Sequence, residues 1–227
     1  MAQAVRMRPR WRRFSAIELL VALAVLLGSA PFIAHLAAGV LLESILLTIV
    51  LLSAVLAISV RRSVALIAAG LALPTLAGRW IHQFRPEMLP AEVFLVGGSL
   101  LVLFVIVNLL RFVLSARVVN AEVLCAAVSA YLLLGLLWTF AYWLVAELIP
   151  NAFLFNLAPD AGATMQGFNS LYFSLITLST VGYGDITPVA DVARMLAALE
   201  SITGLLYVAI LIARLVALQA VPKSPES

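Results

Sequence analysis

Apolar positions in this chain form long unbroken runs separated by short polar or charged breaks. The runs cover Phe14 to Leu36, Ala38 to Val60, Ser63 to Leu76, Glu92 to Leu114, Ala121 to Ile149 and Val189 to Ala220, with a shorter one from Phe168 to Val181. A helix needs about 20 apolar residues to cross the hydrocarbon of a bilayer, so the pattern predicts six transmembrane helices. The third is the weakest, because Pro74 interrupts it and Arg79 closes it. Neighbouring helices can satisfy the carbonyl that a proline frees, and the span is retained. The short run is different in kind. About a dozen helical residues reach only ~18 Å, so this segment must enter the bilayer and turn back. Non-helical backbone at membrane depth is tolerated only inside protein or beside water, and a re-entrant loop therefore implies an aqueous path.

Composition agrees with this pattern. Of 227 residues, 64% are apolar and 11% charged, with a mean hydropathy of +1.14, too few polar groups to cover a water-facing surface. Arg6, Arg8, Arg10, Arg12 and Arg13 precede the first run, and Gly28-Ser29-Ala30 has small residues suited to cleavage, so a signal peptide is the alternative reading of that run. Pro31 would follow the cut, where proline is a poor residue, and the first-span reading fits better. With the N-terminus inside, the inner face carries those five arginines with Arg61, Arg62, Arg111, Arg117 and Lys223. The outer face carries Arg79, Arg85 and Arg194, as the positive-inside rule requires. The net charge of +3 is thus spent on topology, and no nucleic-acid partner is expected. Cys125 is the one cysteine, so there is no intrachain disulfide, and with His35 and His82 it makes no soft-metal site.

The re-entrant segment ends in Thr180-Val181-Gly182-Tyr183-Gly184-Asp185. Gly182 and Gly184 allow backbone angles closed to other residues, so successive carbonyls can point the same way and replace water around a cation. Six fixed residues at this place are far more specific than a lone glycine motif. The segment resembles the signature of tetrameric potassium channels, over Ala121 to Gln219 as outer helix, pore helix, filter and inner helix. The resemblance implies an all-α membrane protein with six transmembrane helices and a re-entrant pore helix and filter between the fifth and sixth. It implies K⁺ bound at Thr180, Val181, Gly182 and Tyr183, with Gly184 completing the filter and Tyr172, Phe173 and Asp185 supporting it. Val181 and Tyr183 would point outward into packing, and the Thr180 hydroxyl would add an oxygen at the inner end. Some relatives carry a pore-helix acid where this chain has Ile176, so regulation of the filter through such a group is not carried over.

On the sixth span, Gly204 stands where many relatives carry a hinge glycine, although close packing is an equal reading. Leu205, Val208, Ile212 and Val216 share one face that matches the cavity-lining positions, with Ile212 and Val216 as gate candidates. Glu200 falls off that face, and a structural hydrogen bond behind the filter is favoured over a role in attracting cations. Glu43 and Glu18 read as buried partners or interfacial groups. Glu122 and Arg214 come to similar depth near the inner face, and an interhelical pair between them is expected. The fourth span holds only Arg111, so steep voltage sensing, which takes ~3–4 gating charges per subunit, is not expected.

The expected organisation is a cytoplasmic arm and four-helix module over residues 1–117, a pore domain over 118–220 and a short cytoplasmic tail over 221–227, with no nucleotide- or calcium-binding domain in that tail. The expected function is passive, K⁺-selective conduction by a homotetramer, not an enzyme, without cofactors, and with K⁺, lipid and three further copies as partners. Alternatives are a less selective cation channel, or a non-conducting structural or regulatory subunit. Both termini are expected in the cytoplasm, and the compact chain points to a bacterial inner membrane.

Overall fold

Helices of 18 to 29 residues follow one another wherever the sequence shows a long apolar run. The fold is that of a computed structural model, which describes residues 16–33, 36, 38–58, 62–116, 118–156 and 163–219. Arg6, Arg8, Arg10, Arg12, Arg13, His35, Arg61, Arg117, Lys223 and the tail 221–227 lie outside the described residues. The elements are α1 (Ala16–Ile33), α2 (Gly39–Ile58), α3 (Arg62–Phe84), α4 (Ala91–Ser115), α5 (Ala121–Leu148), β1 (Phe153–Phe155), α6 (Phe168–Leu178), β2 (Ile186–Pro188) and α7 (Asp191–Gln219). All but α6 among the helices are long and apolar enough to span, which gives the six expected. The 11 residues of α6 reach only ~16 Å, as the re-entrant reading requires.

Two features depart from the sequence expectation. The third helix neither breaks at Pro74 nor stops at Arg79, but runs on to Phe84. Arg79 is buried because it is solvated from within. Its Nη2 donates to Ser44 Oγ at 3.1 Å and lies 3.4 Å from Glu43 Oε1 on α2. Its guanidinium sits over Phe94 of α4 at 5.4 Å and Trp143 of α5 at 5.7 Å. Arg79 is therefore a packing and pairing residue rather than a charge in an outer loop, and Glu43 has its buried partner. The second departure is a short antiparallel pair, in which Phe153 faces Pro188, Leu154 faces Thr187 and Phe155 faces Ile186. Three-residue strands give no readable alternation, so the apolar pattern could not announce them.

Polar side chains inside the spans turn back on their own helices. Ser44, Thr75, Ser99 and Thr139 each donate to the carbonyl four residues earlier, and Asn108 Nδ2 does the same to Phe104 O. This satisfies groups that lipid cannot. Helices α1 and α4 both pack on α5 of their own chain, with α3 on α4 and α2 on α1, so the first four helices lean on α5. Only Ala116 to Asn120 join α4 to α5, and Asn120 caps α5 by accepting the Val123 N–H at 2.9 Å. The core lies along α5, whereas α7 leaves most of its length uncovered by the chain.

Candidate functional site

The re-entrant helix α6 ends with its carbonyls accounted for. Ser179 N–H reaches Leu175 O, Thr180 N–H reaches Thr177 O, and the amides of Val181 and Gly182 both turn back to Ile176 O at 2.8 and 3.2 Å. Ser201 Oγ on α7 adds a bond to Thr177 O at 3.1 Å, and Tyr131 on α5 reaches Leu178 O at 3.5 Å. The negative end of the helix dipole therefore lies where the chain leaves α6, a place that favours a cation.

Beyond this end the backbone alternates in sign. Thr180, Gly182 and Gly184 have φ of 60°, 54° and 79°, while the intervening Val181 and Tyr183 do not enter the positive-φ region. Alternation with period two turns successive carbonyls to the same side of the strand. The glycines take this conformation freely, but Thr180 is β-branched and holds it against steric preference. Such outliers persist only where the surroundings over-determine them, and they cluster at functional sites. That strain at Thr180 could not be read from the sequence.

The hydrogen bonds divide the loop in two. Gly184 O accepts from Asn156 Nδ2 at 2.6 Å, and Asp185 O accepts from Asn156 N–H at 2.7 Å, so the outer end is tied to the segment after β1. Among the described residues, the carbonyls of Thr180, Val181, Gly182 and Tyr183 accept no hydrogen bond. Four consecutive bare carbonyls beside apolar helices need another partner, since unpaired backbone groups at membrane depth are costly. These are the four positions named as ion-binding from the sequence. Asn156 was not anticipated, because a single asparagine in a loop carries no signal of its own.

The supporting residues separate into two environments. Tyr172 brings its hydroxyl to the Asp185 carboxylate beside the filter and stacks on Phe168 at 5.9 Å. Phe173, one residue on, turns to the rear and is buried against Tyr142 at 4.8 Å and Phe153 at 5.5 Å. The aromatic pair expected beside the filter is therefore split, as the 100° step between neighbouring helical residues dictates. Tyr183 and Val181 are 74% and 52% exposed, so the chain itself does not supply the packing expected around them.

On α7, Leu205, Val208, Ile212 and Val216 are all exposed along one face. Gly204 is buried, and a Cβ there would come within 2.1 Å of Leu178 O, so this glycine lets α7 press on the end of α6. The helix continues through it unbroken. Tyr207 anchors the next turn by donating to Ala127 O on α5 at 2.6 Å. Glu200 is buried between α5 and α6, hydrogen-bonded to Tyr142 and Ser174. The expected pair of Glu122 with Arg214 is not the one Arg214 makes. Its Nη2 donates instead to Leu114 O at 2.9 Å and Ala116 O at 3.2 Å, because the end of α4 leaves carbonyls without helical partners and carries the negative end of a dipole.

Residues 130–219 match the Ion channel family. Two rice (Oryza sativa subsp. japonica) proteins are similar in part. "Two pore potassium channel b" is 42% identical over 57 residues, which is 24% of this chain and 16% of that protein. "Two pore potassium channel c" is 33% identical over 87 residues, 38% of this chain and 19% of that protein. The chain thus spans less than a fifth of the length of these relatives, and no solved structure matches it significantly. The matched stretch begins within α5 and closes with α7, so it encloses α6 and the whole alternating loop. This match, set among six apolar helices of membrane-spanning length in the described residues, is consistent with an all-α pore-loop channel fold.

Proposed function

We propose that the protein conducts K⁺ passively and selectively across a membrane through a homotetrameric pore. The observation that carries this reading is the alternation of φ at Thr180, Gly182 and Gly184, together with the free carbonyls of Thr180 to Tyr183. One strand supplies one oxygen per layer. A dehydrated K⁺ needs about eight, which two rings from four chains provide. The exposed Tyr183 and Val181, and the uncovered length of α7, supply the surfaces such an assembly would bury. In it, Leu205, Val208, Ile212 and Val216 line the inner cavity, and an apolar ring at Ile212 or Val216 closes by dewetting. Both termini lie in the cytoplasm, the membrane is a bacterial inner membrane, and K⁺ is the permeant ion rather than a cofactor. Arg111 is the one charged side chain in the middle or inner half of α4, so conductance depends weakly on voltage.

Purified protein in liposomes tests this. A K⁺ gradient should drive flux, an equal Na⁺ gradient should not, and the native mass in mild detergent should be four chains. Equal K⁺ and Na⁺ flux would favour a less selective cation channel, no flux a structural or regulatory subunit, and a stable dimer would exclude the tetrameric ring.

A further inference from the structure

Glu200 lies in a chain of short oxygen contacts that can be counted. Tyr142 Oη on α5 donates to Glu200 Oε2. Ser174 Oγ on α6 is 2.6 Å from Glu200 Oε1 and 2.7 Å from Gly135 O on α5. Three contacts at hydrogen-bond distance join four oxygen-bearing groups, and each contact needs one hydrogen. Tyr142 has one, Ser174 has one, and the Gly135 carbonyl has none. An ionised Glu200 only accepts. Two hydrogens would then serve three contacts, leaving either Ser174 Oγ against Oε1 or Ser174 Oγ against Gly135 O as a bare oxygen–oxygen approach.

We infer that Glu200 is a neutral carboxylic acid, whose own proton completes a relay from Tyr142 through Glu200 and Ser174 to the Gly135 carbonyl. The hydrogen sits on Oε1 and goes to Ser174 Oγ, whose hydrogen goes to Gly135 O, while Tyr142 donates to Oε2. Every contact is then filled once and in one direction. Glu200 is a positioning residue in this arrangement: it ties α7 to α5 and to the helix that carries the filter, and it adds no charge beside the ion path. The titratable groups facing it are Tyr142 and Tyr131, both on α5. The α6 sequence holds no charged residue, and on α7 the charged Asp191 and Arg194 pair with each other at 3.7 Å. Glu200 is fully buried, so nothing outside this set offers a counter-charge among the described residues.

Infrared difference spectroscopy on the full-length protein in liposomes at neutral pH tests the proton directly. Wild type minus Glu200→Gln should show a protonated-carboxyl carbonyl band that shifts in D₂O. Ser174→Ala, which removes the acceptor of the acid proton, should shift that band even where Glu200→Gln fails to fold. Loss of a carboxylate pair in its place, or a carbonyl region unchanged by both substitutions, would overturn the inference. Because an amide can both donate to Ser174 and accept from Tyr142, Glu200→Gln should also keep its K⁺-to-Na⁺ flux ratio within about twofold, whereas Glu200→Ala should not. The infrared result does not depend on conduction, so its failure is distinct from a failure of the channel reading.

Discussion

Two glycines near the filter are required for opposite reasons. At Gly182 an added Cβ would meet nothing within 4 Å, and the constraint is φ of +54° alone. At Gly204 no positive φ is involved, and the constraint is space, with Leu178 O at 2.1 Å from the added atom. Gly182→Ala should therefore leave assembly and thermal stability nearly unchanged while abolishing K⁺ flux, because an L-residue costs ~1–2 kcal/mol in that conformation and the loop can relax out of it. Unaltered flux in that variant would contradict the role given to the loop. Gly204→Ala should act on the fold: overpacking costs ~1–3 kcal/mol, read as a lower melting temperature and poorer yield of the assembled protein. The positive φ of this loop was legible at this scale, because it is written in the glycine identities at 182 and 184. Thr180 was legible only in part, since its identity suggests a hydroxyl ligand and nothing in it announces positive φ.

Between elements, polar groups connect the first four helices to α6 and α7 at both ends of the bundle. At one end, Arg79 of α3 joins Glu43 of α2, and Glu43 abuts Gly167 at the start of α6, where a Cβ would meet Oε2 at 2.6 Å. A carboxylate beside a helix N-terminus is favoured by the dipole. At the opposite end, Arg214 of α7 rests on the end of α4. The spans were readable because each is a long apolar run, whose length alone decides the matter in lipid. The end of α3 is not legible in the sequence, because a charge after an apolar run reads as a boundary. Its solvation comes from Ser44, Glu43, Phe94 and Trp143 on three other helices, which no local pattern reveals. Removing one member of a buried pair leaves the other uncompensated. Arg79→Met should thus destabilise by about 3–5 kcal/mol, and adding Glu43→Gln should recover part of the loss, as a double-mutant cycle by thermal unfolding would show. Full additivity would mean that the two charges do not interact.

For the whole molecule, the single chain is visibly unfinished around the filter. Its core follows α5, while Tyr183, Val181 and most of α7 remain uncovered. The proposed tetramer would cover these apolar side chains around a common axis, and α4 packing on α5 within the chain leaves α7 free for it. The sequence indicates the fold class and the alternating backbone of the loop, because both depend on local identity and run length. Which residues brace the loop, namely Tyr142 and Ser174 through Glu200 on one side and Asn156 at its far end, depends on contacts across 58, 26 and 28 positions, beyond the reach of periodicity. The most direct test of the central claim is the reversal potential of purified protein in a planar bilayer, with K⁺ on one side and Na⁺ on the other. K⁺-selective conduction predicts a reversal potential displaced far toward the K⁺ equilibrium value and returning to zero when K⁺ is made symmetric; a reversal near zero with K⁺ facing Na⁺ would contradict it.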